Sequence, residues 1–382
     1  MNIYCCRING NYLEKVGTCL DMLSLLWTRR FFKGDDFTIQ LPPTASNINL
    51  FAKGNVVELS RPGVVQNESN YCGIITNIEL TDTKLTVKGK SFVGMLERRI
   101  LAEYSVGDTI MNILDKNAGN QADEIRRFGA TTFNLAESTD CTGLFAEPMR
   151  NKKLSEYVSA VGQFASWGLD NAIVHNAIDV QTGEKLPPHI VISGRYAVDR
   201  SVNQKTVKPV IFSDNFENAT NFEYVYTENG AVTGAVITAP AQYDASKKID
   251  VVAYNGYFGT VSGYGRIEKH TAVKASTKQE VRGIDDVWTV LDPAATWETA
   301  NQIPDTLYAN PSDYFDCRII SDVDWWRKFA VGDVVTTQNT AWNMSADKRV
   351  TEVQEFFDAN NERITVTFGE PTKTLNEILK NK

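Results

Sequence analysis

The sequence has 382 residues, and with 42% apolar and 10% aromatic side chains it can build a packed core along its whole length, in about two or three domains. Acidic residues number 47 against 39 basic ones, and the net charge of −8 argues against a surface built to neutralise duplex phosphates. No basic start followed by an apolar run opens the chain. Its best apolar segment, residues 20–27, is broken by Asp21 and flanked by Arg29 and Arg30, so neither a signal peptide nor a membrane span is expected.

Strand signals dominate from the start. Adjacent Cys5 and Cys6 are expected to alternate to opposite faces of one strand. The six cysteines, at 5, 6, 19, 72, 141 and 317, contain no C-x-x-C pair, which favours free buried thiols over a disulfide framework. Residues 84–88 alternate polar and apolar with the period of two that buries one face of a strand. Helices are predicted only between residues 100 and 170. One starts at Asp108, a candidate cap, with Ile110, Ile113, Leu114 and Ala118 on its apolar stripe. A stronger stripe joins Leu154, Tyr157, Val158, Val161, Phe164 and Ala165.

Further on, Asn229-Gly230 between strand-like runs at 223–228 and 231–238 predicts a hairpin with a two-residue turn. A second hairpin is predicted from residues 350–357 and 363–368 around the polar turn 358–361. Val350 and Val353 have odd spacing, so burying both requires a bulge or two buried faces, whereas Ile364, Val366 and Phe368 share one face predicted to be buried. The tripeptide Val-Gly-Asp occurs at 106–108, opening a helix, and at 331–333, opening a strand. Strands, then helices, then strands again predict a β-rich α+β fold, and composition shifts divide it into residues 1–100, 101–200 and 201–382.

Catalytic signals are weak. His175, His189 and His270 stand in no metal-ligand spacing, and each reads as a structural or surface histidine. Gly89-Lys90-Ser91 resembles the end of a phosphate loop, but the glycine required five residues earlier is Lys84. Gly263-Tyr264-Gly265 is half a dinucleotide fingerprint without its third glycine. Two acid pairs, Asp285-Asp286 and Asp322 with Asp324 beside Trp325-Trp326, have the residue types of glycan hydrolysis or binding. Among 47 acids such neighbours arise by chance, and tryptophan is as often a core anchor as a sugar platform. No catalytic, cofactor-binding or metal-ligating residue is therefore expected, and the chain is not expected to be an enzyme.

A series of strand-and-turn blocks in fixed order carries a resemblance. It runs from Trp27-Thr28-Arg29-Arg30-Phe31 and Gly34-Asp35-Asp36-Phe37-Thr38-Ile39 with Pro42, through Gly73-Ile74-Ile75-Thr76, Leu85 to Lys90 and Leu96-Glu97-Arg98-Arg99. It continues with Gly194 to Arg200 and Phe212 to Asn218, and ends with Val331 to Val335, Arg349 to Val353 and Val366 to Pro371. In this the chain resembles the siphovirus tail-hub, or minor tail protein, family over nearly its whole length.

The resemblance implies two tail-tube-like β-barrel domains, at 1–100 and 201–382, with a mixed α/β insertion between them. It implies a homotrimeric ring at the virion tail tip, made in the host cytoplasm, that joins the tail tube or distal tail ring to the tip and lets DNA pass without binding it. Its partners would be the distal tail protein, the tape-measure protein and tip fibres or receptor-binding proteins. A glycan-binding adhesion module and a carboxylate-dependent cell-wall hydrolase are the alternatives. Some relatives continue into lytic or receptor-binding extensions; with 11 residues after Pro371, none is expected here.

Overall fold

The computed structural model describes residues 2–60, 68–69, 71–105, 107–136, 150–175, 177–178, 182–232, 234–240, 248–249, 267–272, 274, 276–281, 287–292, 312–319, 325–359 and 361–369. Two compact units emerge, one of Met1–Glu223 with Phe315–Gly369 and one of Tyr224–Tyr314 with Glu370–Lys382. In chain order the first unit opens with β1 (Asn2–Asn9), β2 (Tyr12–Cys19), β3 (Ser24–Arg30), β4 (Asp36–Leu41) and the short helix α1 (Ala45–Leu50). Next come β5 (Val56–Ser60), β6 (Glu68–Ser69), β7 (Cys72–Leu80) and β8 (Leu85–Lys90). The longer helices α2 (Ile110–Ala118) and α3 (Leu154–Ala165) bracket β9 (Thr131–Phe133), and β10 (Trp167–Val174), β11 (His189–Tyr196), β12 (Ile211–Ser213) and β13 (Ala219–Thr227) follow.

The second unit holds β14 (Gly234–Pro240), β15 (Lys248–Ile249), β16 (Glu268–Ala272), β17 (Ser276–Val281) and β18 (Val287–Asp292). There β14 pairs antiparallel with β15 and parallel with β16, and β17 and β18 form a hairpin. The chain then gives β19 (Ser312–Ile319), β20 (Val334–Asn339), β21 (Met344–Asp358) and β22 (Glu362–Gly369).

This is a β-rich α+β fold, as the pattern of elements predicts. One 13-stranded sheet follows the order β13-β19-β22-β21-β3-β4-β8-β7-β5-β1-β2, with β20 joining β21 to β12. Strands from opposite ends of the sequence meet where β21 pairs with β3, from Glu352 opposite Arg30 to Asp358 opposite Ser24. The expected barrels are therefore not two separate sheets: the strands share a single path, and among the described residues that path does not close. A second sheet, β6-β10-β11-β9, carries the helices.

Local chemistry explains the elements. Thr109, not Asp108, caps α2: its Oγ1 accepts from Asn112 N, while Asp108 accepts from Ser105 N at 2.6 Å and pairs with Lys116 at 2.7 Å. The stripe Ile110, Ile113, Leu114 and Ala118 is buried, as are Leu154, Tyr157, Val158 and Val161 of α3. Cys5 and Cys6 do point to opposite faces and enter different cores. The five described cysteines are buried thiols outside any disulfide, and Cys141 lies outside the described residues.

The C-terminal hairpin forms as predicted, with Asn360 of its turn outside the described residues. Its register shifts between Val350 and Glu352, and this bulge at Thr351 lets Val350 and Val353 both be buried. Ile364, Val366 and Phe368 are buried together. The Asn229-Gly230 hairpin does not form: β13 pairs with β19, and β14 with β15 and β16. Gly230 has φ +83°, but Asn229 is not at positive φ, and a primed hairpin turn of that kind needs both.

Three cores result. One is built from α2, α3, β10 and β11 with Cys6, Val56, Cys72 and Leu96. Another lies under β1 to β8 and takes Phe357 from the far end of the chain. The third, of Phe212, Trp325, Val335, Val350, Val366 and Phe368 among others, takes Phe31 from the near end. Residue 100 is no boundary between them, since Leu96 and Leu101 share one core.

Candidate functional site

Where these cores meet, the sequence concentrates charge and glycine around one aromatic ring. Phe31 leaves the end of β3, is 1% exposed and packs edge-on against Phe32. Two glycines make room for it. A Cβ on Gly168 of β10 would stand 2.7 Å from the ring, and one on Gly332 2.3 Å from it. Gly332 also has φ +107°, which an L side chain rarely adopts. The second Val-Gly-Asp motif thus has a steric reason as well as a conformational one. The guanidinium groups of Arg195 and Arg349 lie 5.4 and 5.7 Å from the centre of the same ring.

Ion pairs surround this ring and span the cores. Arg29 Nη2 donates to both carboxylate oxygens of Asp170, at 2.9 and 2.8 Å, and Arg29 Nε stands 3.6 Å from Asp35. Asp170 is also 4.0 Å from Arg195 Nε. On the other side of β3, Arg30 bridges Asp36 at 2.5 Å and Glu352 of β21 at 2.7 Å. Asp333 accepts from Val198 N, Ala330 N and Arg200 Nε, the last at 2.8 Å. Arg349 donates to Gly332 O and to Ser166 Oγ at the C-terminal cap of α3. Arg195 donates to Val331 O.

The electrostatics follow from burial. Desolvation pushes Asp35 up to about 6, against the pull of Arg29 and the hydrogen bond from Arg30 N. Burial also opposes the charge on Arg29, but Asp170 and Asp35 outweigh it, and that guanidinium is held above its ordinary range. A buried pair of this kind adds little net stability, yet removing one partner strands the other and costs about 3–5 kcal/mol. The arrangement therefore fixes geometry: it locks the end of β3, β10, β11, the Gly332 turn and β21 in one register.

The residues singled out in the sequence fall elsewhere. Trp325 is a core anchor, 1% exposed, with Nε1 donating to Glu355 Oε1 at 2.6 Å, so it offers no sugar platform. Trp326 is partly buried, with Arg327 over its ring. Asp285, Asp286, Asp322, Asp324 and the Gly263–Gly265 motif lie outside the described residues. Gly89 ends β8 against Phe37, Lys90 pairs with Glu97, and Ser91 Oγ accepts from Asp35 N. That tripeptide therefore closes a strand, as its neighbours predict.

His175 bonds Glu58 Oε1 at 2.7 Å, a contact that raises its pKa, and His189 contacts Pro187 O; His270 is exposed on β16. Among the described residues no cluster has the ligands for a metal ion, and no helix is long and apolar enough to cross a membrane. The Phe31 junction escaped the sequence because its partners are remote, Arg29 from Asp170 by 141 positions and Arg30 from Glu352 by 322. The available signal was the run Trp27-Thr28-Arg29-Arg30-Phe31, two charges inside an otherwise apolar strand end.

A family model described as Siphovirus ReqiPepy6 Gp37-like protein matches residues 6–370. Among solved structures, the tail protein from Neisseria meningitidis MC58 superposes with a TM-score of 0.51 at 11% identity, over 96% of either chain. The 43 kDa tail protein of prophage MuSo2 from Shewanella oneidensis gives 0.49 at 12% identity, over 97% of this chain and 99% of that one. Prophage tail protein gp18 from Listeria monocytogenes EGD-e gives 0.47 at 9% identity, over 100% and 98%. No curated protein matches the sequence. At 11% identity the first superposition speaks to fold alone.

Proposed function

The chain belongs to the Siphovirus ReqiPepy6 Gp37-like family of phage tail proteins, and on that premise we propose that it is the hub of the tail tip. It has a structural role in the tail. As a hub it forms a trimeric ring that joins the tail tube or distal tail ring to the tip and lets the genome pass. The tape-measure protein, the distal tail protein and the tip fibres are its neighbours in the particle, and the role requires no catalysis, cofactor or metal.

The observation that carries the ring is a sheet edge left partly open, where of the β2 backbone Leu13 N–H is taken by Pro188 O at 2.7 Å. Among the described residues β2 ends the path of the large sheet. Its Tyr12 and Val16 are each 39% exposed, and Leu20 just beyond it is 78% exposed. An edge with exposed apolar side chains invites pairing and is an aggregation hazard unless a partner covers it. Closed rotational symmetry supplies that partner for every copy. The net charge of −8 also suits a channel through which duplex slides, since a basic lumen would hold phosphates by counterion release.

Reconstruction of the intact particle tests this reading. Three copies around the tail axis, with β2 covered and a neutral or acidic lumen, are expected. Six copies, a peripheral position or a strongly basic lumen would overturn it.

A further inference from the structure

The turn between β20 and β21 holds an exposed tryptophan, and it faces a groove that the hub role leaves unused. The groove has a volume of about 510 Å³, and Asp214, Glu217, Asn221, Phe222, Asn339 and Trp342 contribute to its walls. Trp342 is 48% exposed, yet its backbone is fixed. Its N–H donates to Asn339 Oδ1 at 3.0 Å, and Asn343, at φ +52°, donates its N–H to Thr340 O at 3.1 Å.

The opposite wall is pinned to the same turn. Asp214 accepts from Thr340 N at 3.0 Å and from Thr340 Oγ1 at 2.9 Å, across 126 positions of sequence. The backbone bond from Thr340 is the main reason its pKa falls to about 2. Two segments remote in sequence thus form a preorganised cleft with an ionised carboxylate spent on its own framework.

Asn339 supplies a hydrogen-bond donor at the groove wall. It is 7% exposed, its Oδ1 is occupied by Trp342 N–H, and among the described residues its Nδ2 has no hydrogen-bond partner. The nitrogen itself keeps contact with solvent, so water satisfies it until a ligand hydroxyl takes that place. Asn339 lines the groove, so that donor is available to whatever enters it.

The lining also selects. Among the described residues it contains two carboxylates and neither lysine nor arginine, which disfavours phosphate and other anions. An indole face beside amide and carboxylate groups matches a pyranose ring, whose C–H face is apolar and whose edge carries hydroxyls. We infer that the groove between Trp342, Asn339 and Asp214 binds a neutral carbohydrate chain. One sugar ring lies on Trp342, and its hydroxyls bond Asn339 Nδ2 and the Glu217 carboxylate. This site is distinct from Trp325-Trp326, and it requires no particular ring symmetry.

Calorimetric titration of the full chain with chitotetraose, maltotetraose and trigalacturonic acid tests the site. At least one neutral tetrasaccharide should bind saturably. Trp342→Ala should weaken it by at least about tenfold with an unchanged melting temperature. Asn339→Asp keeps the acceptor for Trp342 N–H, replaces the donor by a second acceptor and adds a negative charge beside Asp214 and Glu217, and should cost about fivefold or more. The inference is overturned if neither tetrasaccharide binds, if Trp342→Ala binds as tightly as the parent, or if trigalacturonic acid is the preferred ligand.

Discussion

The Phe31 junction and the β20–β21 turn each rest on an aspartate that accepts backbone N–H bonds, and the two carboxylates are driven in opposite directions. Asp35 accepts from Arg30 N at 2.9 Å and has Arg29 nearby, yet burial carries it to about 6. Asp214 accepts from Thr340 N and Asn215 N, keeps its contact with solvent, and drops to about 2. Hydrogen bonds support the charged form in both places. Water is what differs, and its loss outweighs a neighbouring guanidinium. The buried region therefore resists change, while the exposed turn tolerates substitution and offers its groups to a ligand.

The largest expected effect comes from adding charge where water is absent. Val366→Asp on the buried face of β22 should lose about 5 kcal/mol, whereas Thr365→Asp, one residue away on the outer face, should lose about 1 or less. Equal drops in melting temperature for the two variants would break the contrast between the faces. Next comes steric crowding: Gly332→Ala sets a methyl group against Phe31 at positive φ and should cost about 4 kcal/mol. Gly230→Ala, also at positive φ but with open space around its Cβ, should cost about 1 kcal/mol. Denaturant titration of both variants separates strain from clash, and similar midpoints would show that Phe31 is not clamped.

A smaller effect is pH-dependent. Because the folded-state pKa of Asp35 lies above its unfolded value, its contribution is fully present below the unfolded pKa, near pH 4, and is lost as pH rises through about 6. The loss amounts to roughly 3 kcal/mol. Stability measured from pH 4 to 7 should therefore decline less in Asp35→Asn than in the parent. Parallel curves would place Asp35 in a wetter site than the junction provides.

What could be read in advance was whatever depends on neighbours in sequence. Alternation sent Cys5 and Cys6 into different cores, and the odd spacing of Val350 and Val353 required the bulge found at Thr351. Helical spacing found α2 and α3. Long-range pairing was hidden: no local pattern says that β13 chooses β19 over β14, or that β3 chooses β21. Acids beside Trp325 drew attention to a tryptophan that is buried, because local composition does not reveal burial. Trp342 carried a usable signal, since a tryptophan in the polar turn Asn339-Thr340-Ala341-Trp342-Asn343 has few apolar neighbours to cover it.

The β3–β21 pairing also sets a clock on biogenesis. Arg30 and Glu352 are 322 positions apart, and a ribosome adding about 5–20 residues per second needs roughly 15–65 s to travel between them. For that interval the nascent chain carries β3 with one edge bare, and the Trp27–Phe31 segment has only β4 beside it. The cores built from local elements can form during synthesis, but the seam closes only after Glu352 has emerged. A cell making this subunit must shield that edge in the meantime, and its yield should respond to translation speed and to chaperones that hold exposed strands.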